Sequence, residues 1–196
     1  MSRKEAILET ALELFNQSNT QSATTNHIAK MMGISPGNLH YHYKNREEIV
    51  RLLYIKLREE MSLSVDALPK TLDELHEHEK LLIQIQWKYR FFFKEMLFLF
   101  SRDEELETLY IKDNLAHHSR IKIVMQNLVA NDELEFVNDD ALNFLVDSIL
   151  ISWQFYNSYL HTIGKSINTA AIAEVIAFTT AAMRPYIKQK DKNASA

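Results

Sequence analysis

Glycine and proline are scarce in this chain of 196 residues, which contains only three of each. Both residues interrupt helices, glycine through its backbone freedom and proline through its missing N–H. Elsewhere, apolar residues recur at helical spacing, as in Ile7, Ala11, Leu14 and Phe15. Such spacing is typical of amphipathic helices. Together, the two features predict an all-α protein.

The composition narrows the class of protein. Hydrophobic residues make up 46% of the chain and charged residues 24%, which is typical of a globular protein. Cysteine is absent, so disulfides, thiolate metal sites and thiol nucleophiles are excluded. The first residues lack the apolar core of a signal peptide, and no apolar run approaches the ~18 residues that a membrane span needs. We therefore expect a cytoplasmic protein with no membrane partner.

Motifs of common enzyme classes are missing. The sequence has no G-x-S-x-G, no phosphate-binding glycine loop and no H-E-x-x-H. His76 and His78 are two residues apart, and His117 and His118 are adjacent, so neither pair shares one face of a helix. We expect a protein that is not an enzyme, with no cofactor and no metal site. An all-helical enzyme and a protein-interaction scaffold remain the alternatives.

Acidic residues are distributed unevenly. Residues 1–60 carry eight Lys and Arg against seven Asp and Glu, whereas residues 61–196 carry fourteen against nineteen. No acid occurs in the 33 residues between Glu13 and Glu47, which include Lys30, Lys44 and Arg46. A long segment without negative charge favours an anionic partner such as nucleic acid.

Half of the glycines and prolines fall between residues 33 and 37. Gly33 can take the positive φ that ends one short helix, and Ser35 can cap a second helix that has Pro36 at its first position. Ala29 is small enough for two helices to cross closely, and Gly37 allows close approach of the backbone. This pattern predicts a helix-turn-helix, whose second helix enters the major groove of DNA. A purely structural helical hairpin is the alternative.

Alternating rings follow in the segment HYHY, residues 40–43. On a helix, Tyr43 lies one turn after the apolar Leu39 and should be buried. The remaining rings should face outward with their polar tips. They are His40, Tyr41 and His42, followed by the cations Lys44 and Arg46.

The segment TTNHIAKMMGISPGNLHYHYKNREEIV resembles the DNA-binding domain of TetR-family transcriptional regulators, over roughly residues 3–55. The resemblance implies a homodimer in which each subunit has a three-helix helix-turn-helix head and a larger helical body. The corresponding domains are 1–48 for DNA binding and 49–190 for effector binding and dimerisation, with a flexible tail at 191–196. It also implies a repressor that a small-molecule effector releases from a double-stranded DNA operator. The effector, the operator, the regulated genes and the direction of regulation are not encoded in recognisable motifs.

By the resemblance, three residues contact phosphates: Thr25, His40 and Arg46. Six others lie nearest the bases: Asn26, Pro36, Gly37, Asn38, Tyr41 and His42. Ser35, as the helix cap, and Lys44, as an added cation, complete the predicted interface. The chain departs from the common family pattern at three positions: His40 replaces Tyr, Pro36 replaces Lys and Asn38 replaces Thr. These departures change which bases are read.

Start signals divide the rest of the chain into long helices. Thr24 or Thr25 should cap the second helix, and Asn45 should cap the fourth. Thr71 with Glu74 should open a helix that continues through Phe93, and Ser101 with Glu104 should open the next, to about residue 129. Two more helices are predicted at 139–163, capped by Asn138, and from Thr169 to about Lys188.

The body carries no specific motif for its ligand. Aromatic side chains with polar tips suit a largely apolar effector, and our candidates are Trp87, Phe91, Tyr110, Trp153 and Tyr156. Arg90 could meet an effector carboxylate. The alternatives are a plain apolar core for the rings and a surface position for Arg90.

The last two helices should pair with those of a second chain. The predicted interface is Leu142, Leu145, Ile149, Ala173, Ala177 and Ala181. Alternatively, these helices pack only on their own core.

Overall fold

A computed structural model describes residues 2–62, 64–166 and 168–188, apart from the side chain of Ile172. The predicted tail, 191–196, lies outside these residues. Within them the chain forms α-helices joined by short turns, which confirms the all-α prediction. The helices are α1 (Arg3–Gln17), α2 (Thr25–Met31), α3 (Pro36–His42), α4 (Arg46–Met61), α5 (Leu72–Lys88), α6 (Arg90–Phe100), α7 (Glu104–Ala130), α8 (Asp139–Thr162) and α9 (Thr169–Met183).

The chain divides into two compact units. The first comprises Met1–Ser62 and Ile85–Asp113, and the second comprises Leu63–Gln84 and Asn114–Ala196. The predicted division after residue 48 separates DNA binding from effector binding and stays a prediction. Helices α4 and α6 share the core of the first unit, where Phe91 packs against Phe15 with ring centroids 5.3 Å apart.

Short polar side chains begin most helices, as the sequence predicts. Thr24, Ser35, Asn45 and Asn138 each accept a hydrogen bond from the backbone N–H three residues on. Each bond satisfies one of the N–H groups that the first helical turn leaves unpaired. Thr71 accepts in the same way from Glu74.

The predicted long helix through Phe93 is interrupted at Tyr89, which separates α5 from α6. Asn16 of α1 holds the break from both sides: its amide donates to the Lys88 carbonyl at 2.8 Å and accepts from the Phe91 N–H at 3.1 Å. Tyr89 is buried and donates its hydroxyl to Glu60 at 2.7 Å. Distant side chains therefore compensate the backbone bonds lost at the break.

Three other boundaries differ from the prediction. Asp103, not Ser101, accepts from an N–H at the start of α7, that of Leu106. Asn168, not Thr169, caps α9. Helix α9 ends at Met183 and passes into a 3₁₀ turn over 184–186, because Pro185 cannot continue an α-helix.

Each unit has its own apolar core. The first is built from α1 to α4 with α6 and the ends of α5 and α7 that belong to this unit. The second is built mainly from α7 and α8, with Leu68 and Leu75 before and within α5 and Met183 at the end of α9. The first core includes Ile28, Ala29 and Leu39 and so holds α2 and α3 in place.

Candidate nucleic-acid interface

Helices α2 and α3 form a tight pair. Gly33 has φ of +65° and its N–H donates to the Lys30 carbonyl. The Ile34 N–H donates to the Ala29 carbonyl at 3.0 Å. Ala29 and Leu39 are fully buried at the crossing. The turn needs glycine because other residues reach this backbone conformation only with strain. The predicted helix-turn-helix geometry is present.

The amino end of α3 is exposed. Ser35 accepts a hydrogen bond from the Asn38 N–H at 3.2 Å, and Pro36 occupies the first helical position. Residues 35–38 are all exposed. A slim, exposed helix tip is the feature that a major-groove reader requires.

Of the alternating rings, Tyr43 lies inward as predicted and His40 and Tyr41 lie outward, whereas His42 is half-buried. Tyr43 is buried and donates its hydroxyl to the Lys4 carbonyl at 3.0 Å, which ties α3 to α1. Tyr41 is 86% exposed, and its ring contacts the His42 ring edge to face with centroids 5.2 Å apart. His40 is exposed and its Nδ1 lies 3.2 Å from the Lys44 carbonyl. A tyrosine ring with its hydroxyl and an imidazole can both make apolar contacts and hydrogen bonds, so their exposed position beside the helix tip favours a binding role.

Of the predicted cations, Lys44 is exposed. Arg46 is partly engaged within the subunit, since its guanidinium donates to the Thr20 carbonyl at 2.7 Å and pairs with Glu47 at 2.8 Å. Asn26 is exposed and Thr25 half-buried on α2. The assignment of individual residues to phosphates or bases stays a prediction.

Thr20, just before α2, is held from two sides. It is fully buried, and its N–H and hydroxyl both donate to the Glu95 carboxylate of α6, the hydroxyl at 2.6 Å. Its carbonyl accepts from Arg46. These bonds join the loop before α2 to α4 and α6, and the sequence offers no signal for them because Glu95 is 75 residues away.

Sequence models of known families match most of the chain. The model described as "Bacterial regulatory proteins, tetR family" covers residues 7–53, and the TetR model described as "Bacterial transcriptional repressor" covers residues 55–194. The chain belongs to the TetR family. Members of this family are DNA-binding transcription regulators rather than enzymes.

Individual relatives agree with the family. The negative transcriptional regulator IcaR of the biofilm operon icaADBC in Staphylococcus epidermidis is 27% identical over 175 residues, which is 82% of this chain and 87% of IcaR. A TetR-family regulator from Marinobacter aquaeolei superposes with a TM-score of 0.87 at 23% identity, over 96% of this chain and 92% of the other. SmeT in complex with triclosan superposes with a TM-score of 0.59 at 13% identity, over 96% of this chain and 93% of SmeT. The two structures establish the shared fold.

The predicted effector residues of this TetR-family chain fall into both units. Phe91 is buried in the core of the first unit, which is the alternative that the sequence left open. Arg90 stacks on the Trp87 ring at 4.3 Å and donates to the Trp87 carbonyl. Tyr110 belongs to a ring cluster with Phe100, and burial raises its pKa to about 12.

The two remaining effector candidates belong to the second unit. Trp153 packs against its apolar core, and Tyr156 donates its hydroxyl to Glu174 on the outer side of α9. Neither unit therefore gathers all of the predicted residues around one site.

The α8 residues of the predicted dimer stripe face inward. Leu142, Leu145 and Ile149 are between 1% and 8% exposed and belong to the core of their own subunit. They have little surface left for a partner. The α9 residues of the prediction are exposed and remain available; they are Ala173, Ala177 and Ala181.

A buried acid was missed by the sequence reasoning. Glu79 of α5 is 4% exposed, and burial raises its pKa from 4.5 to about 7. A signal existed, because Glu79 occupies a helical stripe with Leu75 and Leu82, four residues after one and three before the other. A charged residue within an apolar stripe marks a candidate buried ionisable group.

In the described part of the chain, no three or more His, Asp and Glu side chains lie close enough together to hold a metal ion. None of its helices is long and apolar enough to cross a membrane.

Proposed function

We propose that this TetR-family regulator is a homodimeric repressor that binds its operator through the exposed tip of α3 and is released by a small-molecule effector. The observation that carries the proposal is the exposed surface at residues 35–38, 40 and 41, which combines a slim helix end with an 86% exposed tyrosine. It lies in the acid-free segment between Glu13 and Glu47. Because operator DNA lies in the bacterial cytoplasm, we expect the protein to act there.

Base reading is assigned to the side chains nearest the helix tip. Asn38 offers an amide that can pair with adenine, and Tyr41 offers a ring and a hydroxyl to base edges or phosphates. Lys44 contributes charge near the start of α4 and would contact phosphate. The direction of regulation is supported by IcaR, which is a negative regulator. Binding of a small molecule is supported by SmeT, whose structure contains triclosan.

The dimer is assigned to the outward faces of α8 and α9. On α8, three large apolar side chains with spacings of seven and four residues are 39–70% exposed: Phe144, Ile151 and Phe155. On α9, Phe178 is 54% exposed beside the exposed Ala177 and Ala181. An apolar face of this kind on two packed helices is typical of a surface that a second copy covers. Two heads related by a two-fold axis would read inverted half-sites.

The test measures binding to a labelled duplex from the region upstream of the protein's own gene, by fluorescence anisotropy over a series of salt concentrations. We expect affinity to fall steeply with salt, and Lys44→Ala to reduce the slope of log K against log salt by about one. Lys80→Ala, an exposed lysine of the second unit, serves as the matched control and should leave the slope unchanged. Tyr41→Ala should change the preference among duplexes.

Affinity that is independent of salt, or equal effects of the two lysine substitutions, would show that DNA does not bind at α3. Equal affinity for all duplexes in both the wild type and Tyr41→Ala would refute base reading by this helix.

A further inference from the structure

Polar side chains are buried in the second unit where its helices meet. Glu79 of α5, Asn157 of α8 and Thr179 of α9 are 4%, 2% and 1% exposed. Buried polar groups are normally paired, because losing water without gaining a hydrogen bond costs free energy. Three oxygens in this region break that rule among the described residues: Glu79 Oε2, Asn157 Oδ1 and Thr180 Oγ1.

The carboxylate of Glu79 is the one of these groups that carries a formal charge when ionised, and it is poorly satisfied. Its one described hydrogen bond comes from the Thr179 hydroxyl, at a long 3.4 Å to Oε1. That hydroxyl also lies 3.1 Å from the carbonyls of Val175 and Ile176. A hydroxyl has one proton to donate, so three acceptors compete for it. Glu79 therefore receives at most part of one hydrogen bond.

The unpaired oxygens of α8 and α9 lie at a similar level of the helix pair. The rings of Tyr156 and Phe178 contact each other with centroids 6.4 Å apart. Asn157 and Thr179 are the next residues along their helices, and Thr180 follows Thr179. Thr179 also reaches Glu79, so α5 approaches α9 at the level where Asn157 and Thr180 are found.

The three unpaired atoms are oxygens that can accept hydrogen bonds, so a ligand with hydrogen-bond donors would satisfy them. Burial raises the pKa of Glu79, and the hydrogen bond from the Thr179 hydroxyl lowers it in part. No neighbouring cation contributes to this shift. Burial favours the neutral form of two histidines of this unit, because it lowers the pKa of His117 to about 4 and that of His78 below its ordinary value. A buried carboxylate is stable as an anion when a cation with several N–H donors pairs with it.

We propose that the interior of the second unit binds the ammonium group of an organic amine, with Glu79 as its counter-ion and Asn157 and Thr180 as further acceptors. The amine is the effector of the regulator, which rests on the function proposed above. An ammonium group supplies three donors and a positive charge, which matches the number and kind of the unpaired oxygens. A neutral alcohol of the same shape supplies one donor and no charge.

The experiment compares matched amines and alcohols on the full chain. The probes are methylammonium, benzylammonium and 2-naphthylmethylammonium, each beside the corresponding alcohol, with affinity measured by isothermal titration calorimetry. We expect at least one ammonium probe to bind about tenfold or more tighter than its alcohol, since hydrogen bonds to charged groups are the strong ones. This comparison needs only the wild-type protein.

Two matched variants locate the binding. Glu79→Gln keeps the shape but removes the charge, and we expect it to abolish the preference for the amine. Glu77→Gln makes the same change on the same helix at a side chain that is 73% exposed, and it should keep the preference. Circular dichroism checks that each variant is folded.

Three results would overturn the inference: no binding by any ammonium probe, equal binding of each amine and its alcohol, or a preference that survives Glu79→Gln. Anisotropy with the labelled duplex separates this inference from the proposed function. A protein that binds the duplex but no amine refutes the inference alone. A protein that binds an amine but no duplex refutes the proposed function.

Discussion

Replacing Glu79 by glutamine should stabilise the protein, and the gain should grow with pH. In the folded state burial raises the pKa of Glu79 from 4.5 to about 7. Between these pH values the folded protein holds a proton that the unfolded chain has released, so this group's contribution to stability falls as pH rises. A separation of this size corresponds to about 3 kcal/mol in the free energy of unfolding.

The difference between variant and wild type isolates this effect. His117 works in the opposite direction, because its pKa is lowered from 6.5 to about 4 and its contribution to stability falls as pH decreases below 6.5. The wild-type curve alone therefore shows little net slope from these two groups. Subtracting the wild-type curve from the Glu79→Gln curve removes the contribution of His117 to the free energy of unfolding and leaves the contribution of Glu79.

The assay is urea denaturation followed by circular dichroism at a series of pH values. The free energy of unfolding of Glu79→Gln minus that of wild type should rise by about 3 kcal/mol from pH 4.5 to pH 7 and then stay level. Glu77→Gln, the exposed control, should give a flat difference. A flat or falling difference for Glu79→Gln would refute the argument that this carboxylate is buried without adequate partners.

Three further predictions concern other parts of the molecule. Glu95→Ala removes the acceptor for the N–H and hydroxyl of the buried Thr20 and should lower the free energy of unfolding by about 2 to 3 kcal/mol in denaturation experiments; an unchanged value would contradict the role given to these bonds. Gly33→Ala should cost about 1 to 2 kcal/mol in the same assay from backbone strain alone, because an added Cβ meets no atom within 4 Å at φ of +65°. Ile151→Asp should convert dimer to monomer in light scattering, while Leu97→Asp, at an apolar position on α6 that is at least as exposed, should not; a dimer that persists in both variants would contradict an interface on α8.

Features set by neighbouring residues were predictable from sequence. The turn at Gly33 and the cap at Ser35 depend on backbone conformation and on one side-chain oxygen three residues from its partner. The inward position of Tyr43 followed from its spacing to Leu39. The helix-turn-helix could therefore be located, and its outward rings named, without the fold.

Features set by distant residues could not be predicted. The break at Tyr89 depends on Asn16, which is more than seventy residues earlier in the chain. The start of α7 shows a similar ambiguity, because Ser101 and Asp103 both have capping side chains and only the folded structure selects Asp103.

Helix α8 shows why the sequence did not separate the inward face of a helix from its outward face. It carries apolar residues on two faces, with Leu145 inside and Phe144 outside. A helix that is apolar on most sides gives no periodic signal for the face that meets its own core. The same ambiguity affected the effector candidates, since Phe91 has the spacing of a core residue and of a pocket residue alike.

Selection of duplexes from a random library by the full-length protein tests the central claim most directly. If a two-fold dimer reads DNA through α3, the enriched duplexes will contain two half-sites in inverted orientation, and Asn38→Ala will enrich different bases at equivalent positions of both halves. Enrichment of no sequence, or of one asymmetric element that Asn38→Ala leaves unchanged, would contradict the account.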